Sequence, residues 1–325
     1  MADTAIARIR DIGLKVKENV NRVIVGKDDA VELALAAILC EGHLLIEDVP
    51  GIGKTMLAKS ISRSLGCSFR RIQCTPDLLP SDITGTYIYN QKTSDFEFRP
   101  GPIMAQVVLA DEINRATPRT QSALLEAMQE QQVTAEGETK PLPRPFLLMA
   151  TQNPIELEGT FPLPEAQLDR FLLKIRMGYP TPEDDRIILS RFRQSDPLEE
   201  LAPVVTADEL LQIQAKTHQV HIAADVEDYI IRLTNATREH TTLQLGASPR
   251  AMIALYHTTQ ALAALRGRAF VIPDDVKYTA PFVLVHRLIP RAESHLRGQT
   301  AEEALGEILN SVPVPVEEEV ETERG

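Results

Sequence analysis

A glycine-rich turn lies between an apolar run and a predicted helix, and its composition is typical of a phosphate-binding loop. The run spans residues 43–46, Gly51 and Gly53 lie in the turn, and Lys54 and Thr55 come next, at the helix start. Glycines let backbone N–H groups turn toward phosphate oxygens, and the positive end of the helix points to the same place. We expect Lys54 to reach the β- and γ-phosphates of ATP and the Thr55 hydroxyl to bind Mg²⁺.

One position of this loop departs from the usual pattern. The motif ordinarily opens with glycine, whereas this chain has Asp48 there. Residues 51–55, the part that contacts phosphate, are intact. A chance glycine turn with a surface lysine would not require a strand, two glycines, a Lys-Thr pair and a helix in this order. The pattern therefore favours nucleotide binding.

A second apolar run ends in two acidic residues. Residues 107–110 are apolar, and Asp111 and Glu112 follow them. The ends of strands are where open α/β sheets place ligand chemistry. We expect Asp111 to hold Mg²⁺, directly or through water, and Glu112 to orient or activate the attacking water. Helix capping by either acid is the structural alternative. A glutamate that activates water favours a hydrolase over a kinase, which must protect ATP from water.

A third apolar run, residues 146–150, leads to an asparagine. Asn153 could hydrogen-bond the attacking water or the γ-phosphate. An asparagine before a proline, here Pro154, is also an ordinary turn former. The position of Asn153 after the two motifs above favours the catalytic interpretation.

Two arginines could contact the negative charge of a nucleotide. Arg170 either pairs with Asp169 at the surface or acts as an arginine finger, which stabilises transition-state charge on a neighbouring subunit. Arg250 follows Ser248 and Pro249, which place it in the first turn of a helix, where the helix dipole disfavours a cation. A nearby anion such as bound ATP would explain this placement. The alternative is a solvated arginine.

Short apolar runs separated by helical patterns predict the sheet that positions these residues. They read as apolar throughout, which is typical of parallel strands covered on both faces. Strands that alternate with helices imply βαβ crossovers and a layered α/β fold. The five runs span residues 43–46, 68–72, 105–109, 145–149 and 171–175.

The pattern changes at a proline-rich linker, residues 180–182, and is nearly all helical beyond it. Thr206 with Glu209 reads as a capping box at the start of one of these helices. The end of the chain is rich in glutamate and spaced by prolines, which is typical of disorder. The predicted organisation is a nucleotide-binding α/β domain at residues 1–180, a helical lid domain at 181–311 and an acidic disordered tail at 312–325.

Composition limits the location and the partners of this protein. The 325-residue chain has a formal net charge of −12, which disfavours generic binding to nucleic acid or to anionic membranes. No apolar run approaches the roughly 20 residues that span a bilayer, and residues 1–20 lack the apolar centre of a signal peptide. The three cysteines have no ligand spacing and are expected to be reduced. We expect a cytoplasmic protein without membrane insertion.

Together these motifs resemble the MoxR family of AAA+ ATPases. The resemblance covers roughly residues 10–290, and its motifs are highly specific in combination. Aspartate in place of the first P-loop glycine is typical of this family. The segments that carry the resemblance are residues 47–55 (EDVPGIGKT), 109–115 (LADEINR), 150–154 (ATQNP), 163–171 (LPEAQLDRF) and 248–250 (SPR).

The resemblance implies a fold and a role for each matched position. The fold is a P-loop AAA+ α/β core, with a parallel sheet sandwiched by helices, followed by a smaller all-α lid domain. The catalytic residues are Glu112 of Walker B, Asn153 as sensor 1, Arg170 as the arginine finger and Arg250 as sensor 2. Thr55 and Asp111 are the Mg²⁺ ligands. The residues expected to bind ATP are Val25, Gly26, Asp48, Pro50, Gly51, Ile52, Gly53, Lys54, Thr55 and Met56.

The resemblance also implies partners. Such proteins are similar to chaperone-like ATPases that form rings, expected here to be hexamers, and that mature a protein client, often by assisting metal or cofactor insertion. They commonly act with a partner that carries a von Willebrand factor A domain. Two predicted hairpins, at residues 86–98 and 133–140, would face the central pore, where a client could be gripped. Each is equally well explained as a plain surface hairpin.

Three other functions share parts of this pattern. A nucleic-acid-translocating AAA+ motor would use the hairpins to track DNA, but the acidic charge and the lack of a fused DNA-binding module argue against it. An ATPase subunit of a magnesium-chelatase-like enzyme would share the hairpin insertions. A nucleotide switch that binds ATP without turnover is disfavoured by the intact pair Asp111 and Glu112.

Overall fold

The computed structural model describes residues 2–155, 159–193 and 196–315. Its strands are β1 (Leu44–Glu47), β2 (Phe69–Gln73), β3 (Gly85–Asn90), β4 (Asp95–Pro100), β5 (Val107–Asp111), β6 (Gln132–Ala135), β7 (Glu138–Pro141), β8 (Leu147–Gln152), β9 (Leu173–Ile175), β10 (Leu243–Leu245) and β11 (Ile289–Pro290). Two 3₁₀ turns span Ile113–Arg115 and Val285–Arg287.

The α-helices flank the sheet and make up most of the second half of the chain. They are α1 (Ala2–Val20), α2 (Asp28–Leu39), α3 (Lys54–Ser64), α4 (Pro80–Thr84), α5 (Pro118–Glu130), α6 (Glu165–Leu168), α7 (Pro182–Arg191), α8 (Ala207–Thr217), α9 (Ala224–Glu239), α10 (Pro249–Leu265), α11 (Pro273–Leu284), α12 (Ala292–Leu296) and α13 (Ala301–Ser311).

The five predicted runs form one parallel sheet in the order β2–β5–β8–β1–β9. Each strand begins within two residues of its predicted run. Successive side chains point to opposite faces, because side chains alternate along a strand. Leu44 and Ile46 belong to the cluster that includes residues of α1, α2 and α3, whereas Leu45 packs in a second cluster with Leu124 and Leu125 of α5. The prediction of a parallel sheet sandwiched by helices is confirmed.

Strand β2 departs from the expectation that every strand is buried on both faces. It lies at the edge of the sheet and pairs only with β5. Ile72 is buried, but Arg70, Arg71 and Gln73 are exposed. An edge strand has room for long polar side chains. Here the side chains of Arg71 and Gln73 reach the end of the neighbouring strand β5.

The second half of the chain is helical from α7 onward, apart from the short antiparallel pair β10–β11. Capping boxes open α7 at Thr181 and α8 at Thr206, and the second of these confirms the sequence prediction. Helix α10 packs against α1 and α2, so this region shares a continuous hydrophobic core with the N-terminal helices. The domain boundary at residue 181 stays a prediction. Residues 316–325 of the tail predicted to be disordered lie outside the described residues.

Both predicted hairpins form, as β3–β4 and β6–β7, and they contact each other. The Tyr87 hydroxyl of β3 donates a hydrogen bond to the Glu138 carboxylate of β7. The Lys140 ammonium lies 4.9 Å from the ring centroid of Phe98. Nearer the tip of the β3–β4 hairpin, Tyr89 and Phe96 form a cross-strand aromatic pair. Their exposed fractions are 51% and 64%.

Across the described ranges, no helix is both long and apolar enough to cross a membrane.

Candidate functional site

The predicted phosphate-binding loop joins β1 to α3. Gly51 and Gly53 have φ values of 85° and 94°, and Gly53 is the residue that caps α3. An added Cβ at either glycine would meet no atom within 4 Å, so backbone conformation and not crowding explains why glycine is needed. The turn directs the first N–H groups of α3 toward the end of β1, as phosphate binding requires.

Asp48 hydrogen-bonds this loop to the segment that follows β9. Its Oδ2 accepts hydrogen bonds from the N–H groups of Met177, at 2.8 Å, and Gly178, at 2.6 Å. Its Oδ1 accepts the N–H of Val49 at 2.9 Å. A glycine at this position could make none of these contacts. The Asp48 carboxylate therefore faces backbone amides of the segment after β9, and its effect on nucleotide binding would be through the loop.

A cavity of about 480 Å³ adjoins the loop, and we call it the nucleotide cavity. It is largely apolar, which suits a purine base. Six predicted ATP-binding residues line it: Val25, Pro50, Gly51, Ile52, Gly53 and Met56. Residues that the sequence did not assign to ATP binding close it from α7 and from the segments on either side of this helix, namely Tyr179, Pro180, Asp185, Ile188 and Phe192.

Gly26 does not line the nucleotide cavity, but it allows the segment before α2 to approach the start of α7 closely. Its φ is 66°, and an added Cβ would lie 2.3 Å from the Asp184 carboxylate at the start of α7. Any other residue would be strained at this φ and would displace the Asp184 side chain. The neighbouring Lys27 ammonium donates to the Tyr179 carbonyl at 2.9 Å. This bond holds the segment before α7, which lines the cavity, against the same part of the chain.

Lys54 lies between the loop and the acidic strand end. Its ammonium donates to the Asp48 carbonyl. Burial lowers the pKa of Lys54, and the nearby carboxylates of Asp48, Asp111 and Glu112 partly offset this effect. The Thr55 hydroxyl, next along α3, makes no hydrogen bond within the described part of the chain. Lys54 and the two acids at the end of β5, Asp111 and Glu112, therefore belong to one site.

Thr151 of β8 fixes the two acids. Its hydroxyl donates to Asp111 Oδ1 at 2.6 Å and accepts the N–H of Glu112 at 2.8 Å. Glu112 has a φ of 57°, an uncommon left-handed conformation for a residue other than glycine. The sequence assigned no role to Thr151, although it lies within the motif that ends at Asn153.

Two residues of the edge strand β2 also hold the acids, and the sequence did not indicate them. The Arg71 guanidinium donates to Asp111 Oδ2 through both Nε, at 3.0 Å, and Nη2, at 2.5 Å. The Gln73 amide donates to Glu112 Oε2 at 2.9 Å. Residue 73 pairs directly with residue 111 in the sheet, so the two polar side chains of β2 reach the end of β5.

The oxygen atoms at this strand end fit a magnesium ion. Mg²⁺ prefers hard oxygen ligands and is usually held in nucleotide sites by one or two carboxylates together with phosphates. The Thr55 hydroxyl and the Asp111 carboxylate supply such oxygens. One oxygen of Asp111 already accepts two bonds from Arg71, so Arg71 and a metal would compete for it.

Asn153 is buried and directly follows β8, the strand whose Thr151 contacts both acids. Its Oδ1 accepts the N–H of Ile155 at 3.2 Å, which is the turn-forming role that the sequence allowed. Its Nδ2 donates to no protein acceptor among the described residues. The amide is thus anchored on one side and can donate to a ligand on the other.

The two predicted arginines lie together in a second cavity, which we call the arginine cavity. This cavity, of about 190 Å³, is lined by Arg170, Arg250 and Arg287. Asp169 pairs with Arg287, with 2.7 Å between Oδ1 and Nε, so the alternative of a surface pair between Asp169 and Arg170 is wrong. Over the described residues, the guanidiniums of Arg170 and Arg250 have no hydrogen-bond or ion-pair partner. Two unpaired guanidiniums in one cavity favour an anionic ligand.

The nucleotide cavity and the arginine cavity lie at opposite ends of β1. The P-loop follows the last residue of the strand, whereas the arginine cavity is lined by Gly42 and His43, which precede its first residue. The two cavities share no lining residue. Four extended residues span about 13 Å. Arg250 therefore lies away from the P-loop of its own chain.

Comparisons with known proteins agree with this architecture. Residues 43–173 match the "ATPase family associated with various cellular activities (AAA)", and residues 235–308 match the "AAA lid domain". The chain is 52% identical to the uncharacterized protein YeaC of Bacillus subtilis, covering 93% of this chain and 95% of that protein. It is 45% identical to Chaperone MoxR1 of Mycobacterium tuberculosis, covering 91% and 80%.

A solved structure extends the agreement to the whole fold. A protein from Cytophaga hutchinsonii, described as a candidate ATPase, matches with a TM-score of 0.91 at 38% identity, covering 97% of this chain and 98% of that one. The P-loop, the paired acids of β5 and the lid helices thus occur in a fold shared with ATPases, and ATP hydrolysis is the activity of this chain. The chain belongs to the MoxR family of AAA+ ATPases.

Proposed function

We propose that this ATPase works as an oligomer in which two neighbouring copies form each active site. The separation of the two cavities carries the proposal: the P-loop and the acids lie at one end of β1, and two unpaired arginines lie at the other. In a ring, the arginine cavity of one copy would face the nucleotide cavity of the next. Every chain would then bind one ATP and complete the site of a neighbour.

Each side chain has a defined task in this scheme. Lys54 neutralises charge on the β- and γ-phosphates, and Glu112 orients the attacking water for in-line displacement. The free Nδ2 of Asn153 donates to that water or to the γ-phosphate. Arg170 and Arg250 of the neighbour stabilise the charge that develops on the transferred phosphoryl group.

Magnesium would be held by Thr55 and Asp111 together with the phosphates, and when bound it would neutralise charge on the β- and γ-oxygens. Magnesium would compete with Arg71 for Asp111 Oδ2, while Gln73 holds Glu112 where it can meet the nucleotide. The reaction is therefore expected to depend on Mg²⁺ as well as on assembly.

We further propose that hydrolysis drives the remodelling or maturation of a protein client, such as the insertion of a metal or cofactor. A relative that spans nine-tenths of this chain is named a chaperone. The exposed aromatic pair Tyr89 and Phe96 offers an apolar surface for a polypeptide. A hexameric ring in the cytoplasm and a partner with a von Willebrand factor A domain complete the proposal. The nucleic-acid motor and the chelatase subunit are not favoured, because this similarity points to a chaperone.

Subunit mixing tests the shared site. Arg170→Ala and Glu112→Gln subunits are each expected to hydrolyse ATP very slowly when assembled alone. Co-expressed mixtures should recover a substantial fraction of wild-type hydrolysis, because an Arg170→Ala subunit keeps its own acids and receives an arginine from a Glu112→Gln neighbour. Mixtures as inactive as either variant alone would show a self-contained site, and the proposal would have to be abandoned.

A further inference from the structure

The 3₁₀ turn after α11 holds the backbone on both sides of Arg170. Arg287, the last residue of this turn, has a side chain that is only 4% exposed. Its guanidinium donates to the carbonyl oxygen of Phe171 at 2.7 Å and to those of Asp169 and Leu172 at 3.2 Å. Its Nε donates to the Asp169 carboxylate at 2.7 Å. Four contacts thus fix the residues that flank Arg170.

The neighbouring histidine adds a contact to the same segment. His286 is buried, and its Nε2 lies 3.1 Å from the Phe171 carbonyl, which also accepts from Arg287. Arg287 Nη1, which donates to the Leu172 carbonyl, also donates to the carbonyl of Val283 in α11. The turn is therefore bound to its own helix on one side and to the Arg170 segment on the other.

Arg287 is already neutralised, unlike the other two arginines of the cavity. Its charge is paired with Asp169, whereas Arg170 and Arg250 have no partner among the described residues. A buried, fully bonded guanidinium is poorly suited to bind a further anion. It is well suited to fix a backbone, because its planar fork presents five donors in a rigid arrangement.

We propose that Arg287 is a positioning residue: it sets the place of Arg170, so that the helical region of one subunit controls ATP hydrolysis in its neighbour. This inference rests on the shared active site proposed above. A misplacement of about 1 Å in a catalytic group can cost about 10²-fold in rate. Motion of α11 would move the turn, and with it the backbone that carries Arg170.

Two substitutions measure the effect. Arg287→Ala is expected to lower kcat for ATP by about 10²-fold while the KM changes little, because the nucleotide cavity lies at the other end of β1. Arg287→Lys keeps the charge but cannot bridge carbonyls on both sides, so we expect a smaller loss of kcat. Thermal unfolding and binding of a fluorescent ATP analogue report whether each variant is folded. A folded Arg287→Ala protein with wild-type kcat, or loss of the fold in both variants, would contradict the inference.

Mixing experiments test whether Arg287 acts in the subunit that supplies Arg170 to its neighbour. Arg287→Ala subunits should recover activity with Glu112→Gln subunits, which supply an intact arginine, but not with Arg170→Ala subunits, which share the defect. If Arg170→Ala with Glu112→Gln recovers but Arg287→Ala with Glu112→Gln does not, the role of Arg287 is refuted and the shared site stands. If neither mixture recovers, the shared site itself fails.

Discussion

At the scale of single residues, the structure shows how a glutamate can be presented to a water molecule. Glu112 follows the last residue of β5 and has a left-handed backbone conformation. This conformation is unfavourable for residues other than glycine and costs of order 1 kcal/mol of folding free energy or more. Thr151 compensates by accepting its N–H, and Gln73 by donating to its carboxylate. The carboxylate is thereby held apart from Asp111, whose oxygens are bound by Thr151 and Arg71. The two acids can therefore have different tasks.

The first prediction concerns Glu112. Glu112→Gln keeps the shape and the contact with Gln73 but removes the charge that activates water. We expect ATP to bind with near wild-type affinity and the turnover to fall by about 10²–10⁴-fold. Isothermal titration and a phosphate-release assay measure the two quantities. Glu126→Gln, an exposed change on α5, is the control, and normal turnover in Glu112→Gln would remove Glu112 from the mechanism.

The second prediction concerns Arg71. Its guanidinium binds the Asp111 oxygen that a magnesium ion would need. Arg71→Gln should therefore lower the Mg²⁺ concentration that gives half-maximal ATP hydrolysis. Arg70→Gln, an exposed change at the adjacent position of the same strand, should leave it unchanged. A higher magnesium requirement in Arg71→Gln would show that Arg71 assists the metal instead of competing with it.

At the scale of strands and helices, local patterns could be predicted and contacts between distant elements could not. The P-loop, the acids and both hairpins follow from residue types and spacing over a few positions. The contacts of Arg71 and Gln73 depend on β2 lying beside β5, which no run of residues encodes. The meeting of Arg170 with Arg250 depends likewise on how α10 packs against α2 and α11. The sequence therefore indicated both arginines without indicating that they share a cavity away from their own P-loop.

A buried histidine at the start of the sheet gives the third prediction. His43 Nδ1 accepts the N–H of Leu148 at 3.1 Å, and its Nε2 lies 3.1 Å from the Met128 carbonyl. Burial lowers the pKa of His43 to about 4, although the contact with Met128 opposes this shift. In the unfolded chain His43 gains a proton as the pH falls below about 6.5, whereas the folded protein resists protonation until about pH 4. His43 thus makes the protein less stable as the pH falls between these values, by about 3 kcal/mol in all.

Replacement of His43 by glutamine tests this assignment, because the amide can accept from Leu148 and donate to Met128 without titrating. The free energy of unfolding is measured by urea titration from pH 7 to pH 4. We expect wild type to lose about 3 kcal/mol more than His43→Gln over this range. The buried His286 titrates in both proteins and cancels in the comparison. Parallel pH profiles for the two proteins would contradict the assignment.

At the scale of the whole molecule, the chain carries two separate groups of charged side chains, one beyond each end of β1. One holds a lysine and two acids beside the nucleotide cavity, and the other holds two unpaired arginines. Neither group contains all the side chains that phosphoryl transfer to water uses. The continuous core that joins α1, α2 and α10 fixes the two groups relative to each other. Closing a ring of such chains would complete every site at once.

The most direct test of this account is an experimental structure of the assembled Glu112→Gln variant with ATP and magnesium. The decisive quantity is the distance from the Arg170 guanidinium to the γ-phosphate held by the P-loop of the adjacent chain. We expect a charge-assisted hydrogen bond of about 2.7–2.9 Å, with Arg250 on the same nucleotide. An assembly in which both arginines stay away from every nucleotide, or contact the nucleotide of their own chain, would contradict the account.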